Sequence, residues 1–135
     1  MFKSFIVFFL TLNIVCCAAC STAKTSVKTE LYFGLCKNDT CLAESDFISE
    51  SEWQEFVNKF VMPRFPGGLT VIEANGQWEN SQSGKLIREK TKILVLLHKQ
   101  SPVDEESIES IRNSYKKLFG QESVMKVNSK IDLSF

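Results

Sequence analysis

The chain has one histidine, no excess of either charge, and no apolar run of the roughly 20 residues that carry a helix across a bilayer. Each shortage excludes something. With 16 basic and 16 acidic side chains there is no basic footprint for nucleic acid. A single imidazole, His98, makes a histidine-rich metal centre or a histidine relay unavailable. No nucleophile stands with its base at a known spacing, no carboxylates pair at motif spacing, and no glycine loop of the phosphate-cradling kind occurs. No catalytic residue, metal or cofactor is therefore assigned.

What is present begins with an address. Lys3 precedes an apolar stretch from Phe5 to Val15, interrupted by Thr11 and Asn13 and followed by small residues, the order of a secretory signal peptide. The segment Cys17-Ala18-Ala19-Cys20 resembles a bacterial lipobox, with Cys17 where a leucine is usual. This reading makes residues 1–19 a leader, Cys20 a lipidated N-terminus, residues 20–27 a tether, and residues 28–135 one domain. It expects an exported protein of the periplasm or cell surface, held to a membrane by the lipid on Cys20. Ordinary cleavage near Ala19 or Ala23 would instead give a soluble secreted protein. Either way about 115 residues remain, enough for one core, with 15 basic against 16 acidic groups once Lys3 is removed.

Of five cysteines, Cys16 and Cys17 leave with the leader and Cys20 takes the lipid, so Cys36 and Cys41 remain. In an oxidising compartment two cysteines bracketing a polar turn suggest one disulfide. Two free thiols are the alternative. A metal would need more ligands, and four intervening residues do not make a thioredoxin-type redox pair.

The domain reads as strand, helix, strand, strand, helix, strand. Thr29 to Leu35 is β-branched and aromatic. Ser49 and Glu52 form a capping box ahead of an apolar stripe of Trp53, Phe56, Val57, Phe60 and Val61, and Pro63 ends the helix. Leu69 to Ala74 is a second strand. Asn75-Gly76 and the segment from Ser81 to Gly84 are turn-forming, placing Gln77-Trp78 in the arm or tip of a hairpin. The third strand starts at Leu86, and its run Ile93 to Leu97 predicts burial on both faces. Ser101-Pro102 opens a second helix with acids first, Lys116 and Lys117 last, Gly120 as its stop and a stripe of Ile108, Ile111, Tyr115, Leu118 and Phe119. Val124 to Phe135 is a fourth strand with a bulge near Ser129. The order is that of an α+β, ferredoxin-like βαββαβ fold: a four-stranded antiparallel sheet, first and third strands central, both helices on one face. The other face is expected to be covered by a second copy, as in a dimeric α+β barrel.

Several segments in order carry a family resemblance: Leu31-Tyr32-Phe33-Gly34; Pro63-Arg64-Phe65-Pro66 with Gly68-Leu69-Thr70-Val71; Gly76-Gln77-Trp78; Glu89 with Thr91-Lys92; and Tyr115-Lys116 with Phe119-Gly120-Gln121-Glu122-Ser123-Val124. The chain resembles a bacterial family of short secreted or lipid-anchored proteins catalogued only as a domain of unknown function. The resemblance implies export and one compact domain. It implies no activity, substrate or cofactor, and the cysteine pairing rests on the residues alone.

The candidate binding residues are Tyr32, Arg64, Gln77, Trp78, Glu89 and His98. Arg64, at a rigid helix exit, can bind an anion, or cap helix carbonyls, or pair with Glu89. Gln77 and Trp78 can form a recognition edge, or Trp78 can fold over the hairpin to close the core. Tyr32 can reach a sheet-face pocket or pack in the core, and His98 at a strand end can ligate or be structural. A non-catalytic envelope module that binds a ligand or partner fits these residues best. A small enzyme with a pocket near Tyr32, Arg64, Glu89 and His98 is the alternative, and a structural or inhibitory lipoprotein with a protruding hairpin is a third.

Overall fold

The computed structural model describes residues 26–39, 43–80 and 83–134. The expected leader, Cys20, Cys41 and Phe135 lie outside the described residues. The elements are β1 (Ser26–Gly34), α1 (Glu50–Phe56), which runs on through a π-helical turn (Val57–Val61), β2 (Thr70–Glu79), β3 (Leu86–Lys99), α2 (Pro102–Phe119) and β4 (Met125–Ile131). The sheet order is β2-β3-β1-β4, every neighbouring pair antiparallel. The ferredoxin-like arrangement is thus present with β1 and β3 central. Because β1 starts at Ser26, the last two residues of the expected tether are paired in the sheet.

The α1 start follows from its first residues. Ser49 Oγ accepts from the Glu52 backbone N–H at 3.3 Å while Glu52 Oε2 accepts from the Ser49 N–H at 2.9 Å, the reciprocal box that satisfies two otherwise orphaned donors. Lys37 Nζ lies 2.8 Å from Glu52 Oε1. That ammonium, and then the Ser49 N–H and hydroxyl, hold the Glu52 carboxyl down at about 2, against an ordinary 4.5. A carboxylate held below its unfolded value stabilises the fold above pH 4.5, and that contribution drains away as pH falls toward 2. The Glu52 side chain is 39% exposed, so solvent screening keeps the effect below about 1 kcal/mol. Glu52→Gln is expected to be less stable than the wild type at pH 7 by that amount, with the gap closing between pH 4.5 and pH 2 in urea titrations. A gap independent of pH would remove the charge from this cap.

The π turn, closed by the Met62 N–H on the Val57 carbonyl at 3.0 Å, adds a residue to the helix and turns its stripe. Val61 stays fully buried and Phe60 moves to the flank. Pro63, which has no N–H to give, follows. Pro102 at the first turn of α2, the Ser101 cap and Gly120 at φ 65° set the limits of the second helix as its sequence predicts.

Phe33 is the centre of the core, between the sheet and both helices. Its ring meets Trp53 at 5.3 Å, Phe56 at 5.8 Å and Tyr115 at 4.5 Å between centroids, all edge-on. Leu31, Leu94, Leu96, Ile108 and Ile111 complete this layer with no exposed surface.

Four expectations are corrected. The Ile93 to Leu97 run is buried on one face only. Leu94 and Leu96 lie under the helices, whereas Ile93 and Val95 are half-buried and Leu97 is exposed on the other side. Asn75-Gly76 is not a turn but paired strand, opposite Lys90 and Glu89. No bulge interrupts β4, whose register with β1 runs without a slip from Ser26↔Ile131 to Tyr32↔Met125. Its apparent phase break arises because Val124 packs under the helices while Val127 and Ile131 belong to the opposite face. Leu118 stands exposed rather than in the α2 stripe.

Candidate functional site on the uncovered sheet face

Strand alternation distributes the candidate residues between the two faces. Tyr32 and Gly34 on β1, Gly76 and Trp78 on β2, and Glu89 and Thr91 on β3 all fall on the face away from the helices, at the same end of the sheet. With the α2–β4 connection, Gln121 to Ser123, and Met125, they line an open cavity of about 350 Å³.

The carboxylate of Glu89 is the fixed point of this cavity. The Trp78 indole N–H donates to its Oε1 at 3.0 Å, and the Cys36 backbone N–H donates to its Oε2 at 3.3 Å. Two glycines make the space. A Cβ on Gly34 would stand 2.5 Å from Glu89 Oε2, and one on Gly76 would stand 2.7 Å from Thr91 Oγ1. A glycine inside a strand commonly marks such a close approach. From the helix side the Tyr115 hydroxyl donates to the Gly34 carbonyl at 2.7 Å. Burial, and then the negative Glu89, push the Tyr115 phenol far above its ordinary range, so it stays a donor. Gln121 donates to the Cys36 carbonyl. The Gly34 to Cys36 backbone under the carboxylate is thereby held from three directions.

Gln77 also borders the cavity, whereas Arg64 and His98 lie elsewhere. The Gln77 side chain points to the opposite face from Trp78, where it accepts from Arg88 Nε at 2.8 Å. Trp78 covers the open face and does not close the core. Arg64 does not pair with Glu89: its Nη1 caps the Phe60 carbonyl at 2.8 Å and its Nη2 reaches Ser110 Oγ at 3.2 Å, because the helix exit lies on the helix side of the sheet. His98 is also on that side. Its Nε2 is 2.8 Å from the buried Thr29 hydroxyl, which donates to Asn128 at 2.8 Å, and its Nδ1 lies 2.7 Å from the Lys99 carbonyl oxygen. Both ring nitrogens serve structure. The grouping of Tyr32, Arg64, Glu89 and His98 in one pocket between sheet and helices is therefore not formed; Tyr32 and Glu89 share the open face without the other two.

Two features went unread in the sequence. Gly34, closing an alternating strand, carried the signal of close approach. Lys92, almost fully buried, carried none. It emerges under the first helix with Nζ 2.8 Å from Glu50 and 3.2 Å from Glu73, and 5.7 Å from the Trp53 ring centroid. Burial works to lower its pKa, but the two carboxylates outweigh burial and hold it above the ordinary lysine value. Cys36 is wholly buried, and its expected partner Cys41 lies outside the described residues.

The family model described as "Protein of unknown function (DUF3574)" matches residues 28–135. The chain belongs to this family. DUF3574 thus covers the whole described domain from the third residue of β1. No match occurs among curated proteins. Among solved structures the DUF3574 domain is similar to a phage SAM lyase in complex with S-methyl-5'-thioadenosine, at 14% identity and TM-score 0.59, covering 78% of this chain and 81% of that one. The same lyase in its apo state aligns at 13% identity and TM-score 0.57, covering 81% and 83%. CutA1 from Oryza sativa aligns at 8% identity and TM-score 0.52, covering 82% and 84%. At these identities the likeness is one of fold, and it agrees with the ferredoxin-like topology described above.

Proposed function

We propose that this DUF3574 domain is a non-catalytic binding module of the cell envelope that takes a small ligand in the cavity around Glu89. The observation that carries the reading is a carboxylate oriented by an indole and a backbone N–H over a glycine floor, on a sheet face with no covering element among the described residues. Binding is favoured over catalysis because the residues an enzyme would need together, Tyr32 and Glu89 with Arg64 and His98, are separated by the sheet. The test is a fragment and envelope-extract screen by ¹⁵N NMR on the protein purified after export. Shifts concentrated at Tyr32, Trp78, Glu89 and Met125 are expected, and a screen without any response there would overturn the reading.

The remainder of the same face belongs to a second copy. Ile72, Leu97 and Val127 are exposed on it, beside half-buried Ile93, Val95 and Ile131, an apolar area of the kind that marks an interface. Lys28 and Glu30, 3.4 Å apart on the same face of the central β1, can exchange partners across a two-fold axis. Sedimentation of a monomer at tens of micromolar would exclude the homodimer.

Export and anchoring through Cys20 complete the proposal, supported by the leader and lipobox-like segment. Mass spectrometry of the mature N-terminus, free of lipid, would remove the anchor. A Cys36–Cys41 bridge is proposed with it. The disulfide state of Cys36 and the short spacing between the two support the pairing, and a peptide map with Cys41 alkylated under non-reducing conditions would refute it.

A further inference from the structure

The open sheet face carries a charge pair at the middle of its apolar surface. Lys28 and Glu30 are two residues apart on the central strand β1, 3.4 Å from each other, with side chains 36% and 22% exposed. Strand register sets Lys28 beside Leu97 and Glu30 beside Val95 on β3. Further out, Ile131 stands in the row of Ser26 at one end of the band, and Met125 stands in the row of Tyr32 at the other. Thr29 therefore marks the midpoint of the apolar band and of the charge pair at once. A second copy facing this surface can be related to the first by a two-fold axis in the plane between the sheets in two ways. With the axis along β1, each row meets itself, so Lys28 faces Lys28 and Glu30 faces Glu30, an arrangement that like charges disfavour. With the axis across β1 at Thr29, the two β1 strands run antiparallel over one another. Lys28 of each copy then faces Glu30 of the other, and Val95 faces Leu97. The four charges form a closed ring of alternating sign, which compensates the loss of water that a single buried pair would suffer. Aligned sheets cross at about 30°, a rotation that displaces residues next to the axis least, so the symmetry fixes these central contacts most firmly.

We infer that two copies of this chain pair face to face about a two-fold axis across β1 at Thr29, exchanging Lys28–Glu30 ion pairs, and that each copy supplies the start of its β1 to the rim of the other's cavity. The inference rests on the homodimer reading above and specifies its geometry. The link to the cavity follows from the same symmetry. Tyr32 and Met125 line the cavity, and the half-turn places their row against the row of Ser26 and Ile131 of the second copy. Trp78 and Glu89 lie beyond that row, toward the end of the sheet, and stay open to solvent in the dimer.

The experiment uses the full processed chain. Sedimentation equilibrium gives the dimer dissociation constant, and isotope-filtered NMR on a mixture of ¹³C-labelled and unlabelled protein reports only contacts between copies. Two such contacts are expected: Val95 methyls with Leu97 methyls, and Tyr32 or Met125 of one copy with Ser26 or Ile131 of the other. Lys28→Glu and Glu30→Lys each bring four like charges together and are expected to weaken the dimer at least about tenfold. The double variant exchanges the two charges and rebuilds the alternating ring, so its dissociation constant is expected to return to within about threefold of the wild type. An otherwise unchanged amide spectrum is the control for folding, and the wild-type contacts decide alone if a single swap disturbs the fold. A dimer that lacks the Val95 to Leu97 contact, or a double variant no tighter than the single ones, overturns this geometry and leaves the homodimer standing. Central contacts without any between the Tyr32 and Ser26 rows overturn the shared rim. A monomeric wild type removes the homodimer and this geometry with it.

Discussion

Phe33→Ala is expected to cost about 3–5 kcal/mol, the range for emptying a fully buried phenylalanine site, and to lower the melting temperature by well over 10 °C. The reason is position as much as size. Phe33 is fully buried on a central strand and stands edge-on to Trp53, Phe56 and Tyr115, residues from both helices. The cavity left behind cannot collapse, because its walls are a paired strand below and two helices held to each other through the same rings. Against a total stability of about 5–15 kcal/mol for a domain of this kind, that loss is a large share. Phe60→Ala removes a ring of the same size from the flank, where Phe60 stacks on Phe56 at 5.5 Å but remains partly exposed. It should cost less than half as much. Urea unfolding followed by Trp53 fluorescence measures both, and a loss under 1 kcal/mol for Phe33→Ala would contradict its place at the centre of the core.

The parts of this fold that were legible are those with local causes. The Ser49–Glu52 box, the Ser101-Pro102 start and the Gly120 stop each depend on a few adjacent residues, and each falls where its sequence puts it. Topology followed from the order of the elements and the strongly apolar third strand. What misled was information about faces. Ile93 to Leu97 reads as doubly buried because apolarity shows that burial is wanted without showing what provides it. Here the helices cover Leu94 and Leu96 alone. The fourth strand reads as bulged for the same reason: Val124 serves one face, Val127 and Ile131 the other. Lys126 and Asn128 sit on the helix side of that edge, where Lys126 pairs with Glu105 and Glu109 and Asn128 accepts from Thr29.

The site was legible by residue type and not by assembly. Tyr32, Trp78 and Glu89 were candidates as separate residues, and strand register brings them together. Asn75-Gly76 reads as a turn because that dipeptide is a common hairpin signal. Gly76 is glycine for a different reason: it lies beside Thr91 and opposite Glu89, at a point where the face must stay open. Arg64 and His98 looked equally chemical in the sequence, yet the helix exit and the distal end of β3 put them on the other side of the sheet.

Gly34→Ala should separate stability from binding more cleanly than any change to a charged residue. Gly34 is not among the residues of positive φ, which among the described residues are Asn38, Gly68, Gly84 and Gly120; alanine therefore fits the strand, and the unfolded chain loses entropy, a gain of about 0.4–1 kcal/mol. The new methyl would stand 2.5 Å from Glu89 Oε2, so the carboxylate must swing away. Moving the end of a flexible side chain is cheap in itself, but the hydrogen bonds from the Trp78 indole and the Cys36 N–H go with it, a loss of about 1–3 kcal/mol for bonds to a charged group. The gain offsets part of the loss, and the net is expected to be a destabilisation of no more than about 2.5 kcal/mol. Binding has no such offset: the carboxylate is displaced and the floor is filled, so affinity for a ligand found in the extract screen should fall at least tenfold, about 1.4 kcal/mol. The Trp78 indole proton, freed from the carboxylate, should move upfield in the NMR spectrum of the unliganded protein. A variant that binds as the wild type does, with its indole resonance unmoved, would mean that the carboxylate over Gly34 is not the recognition element of this face.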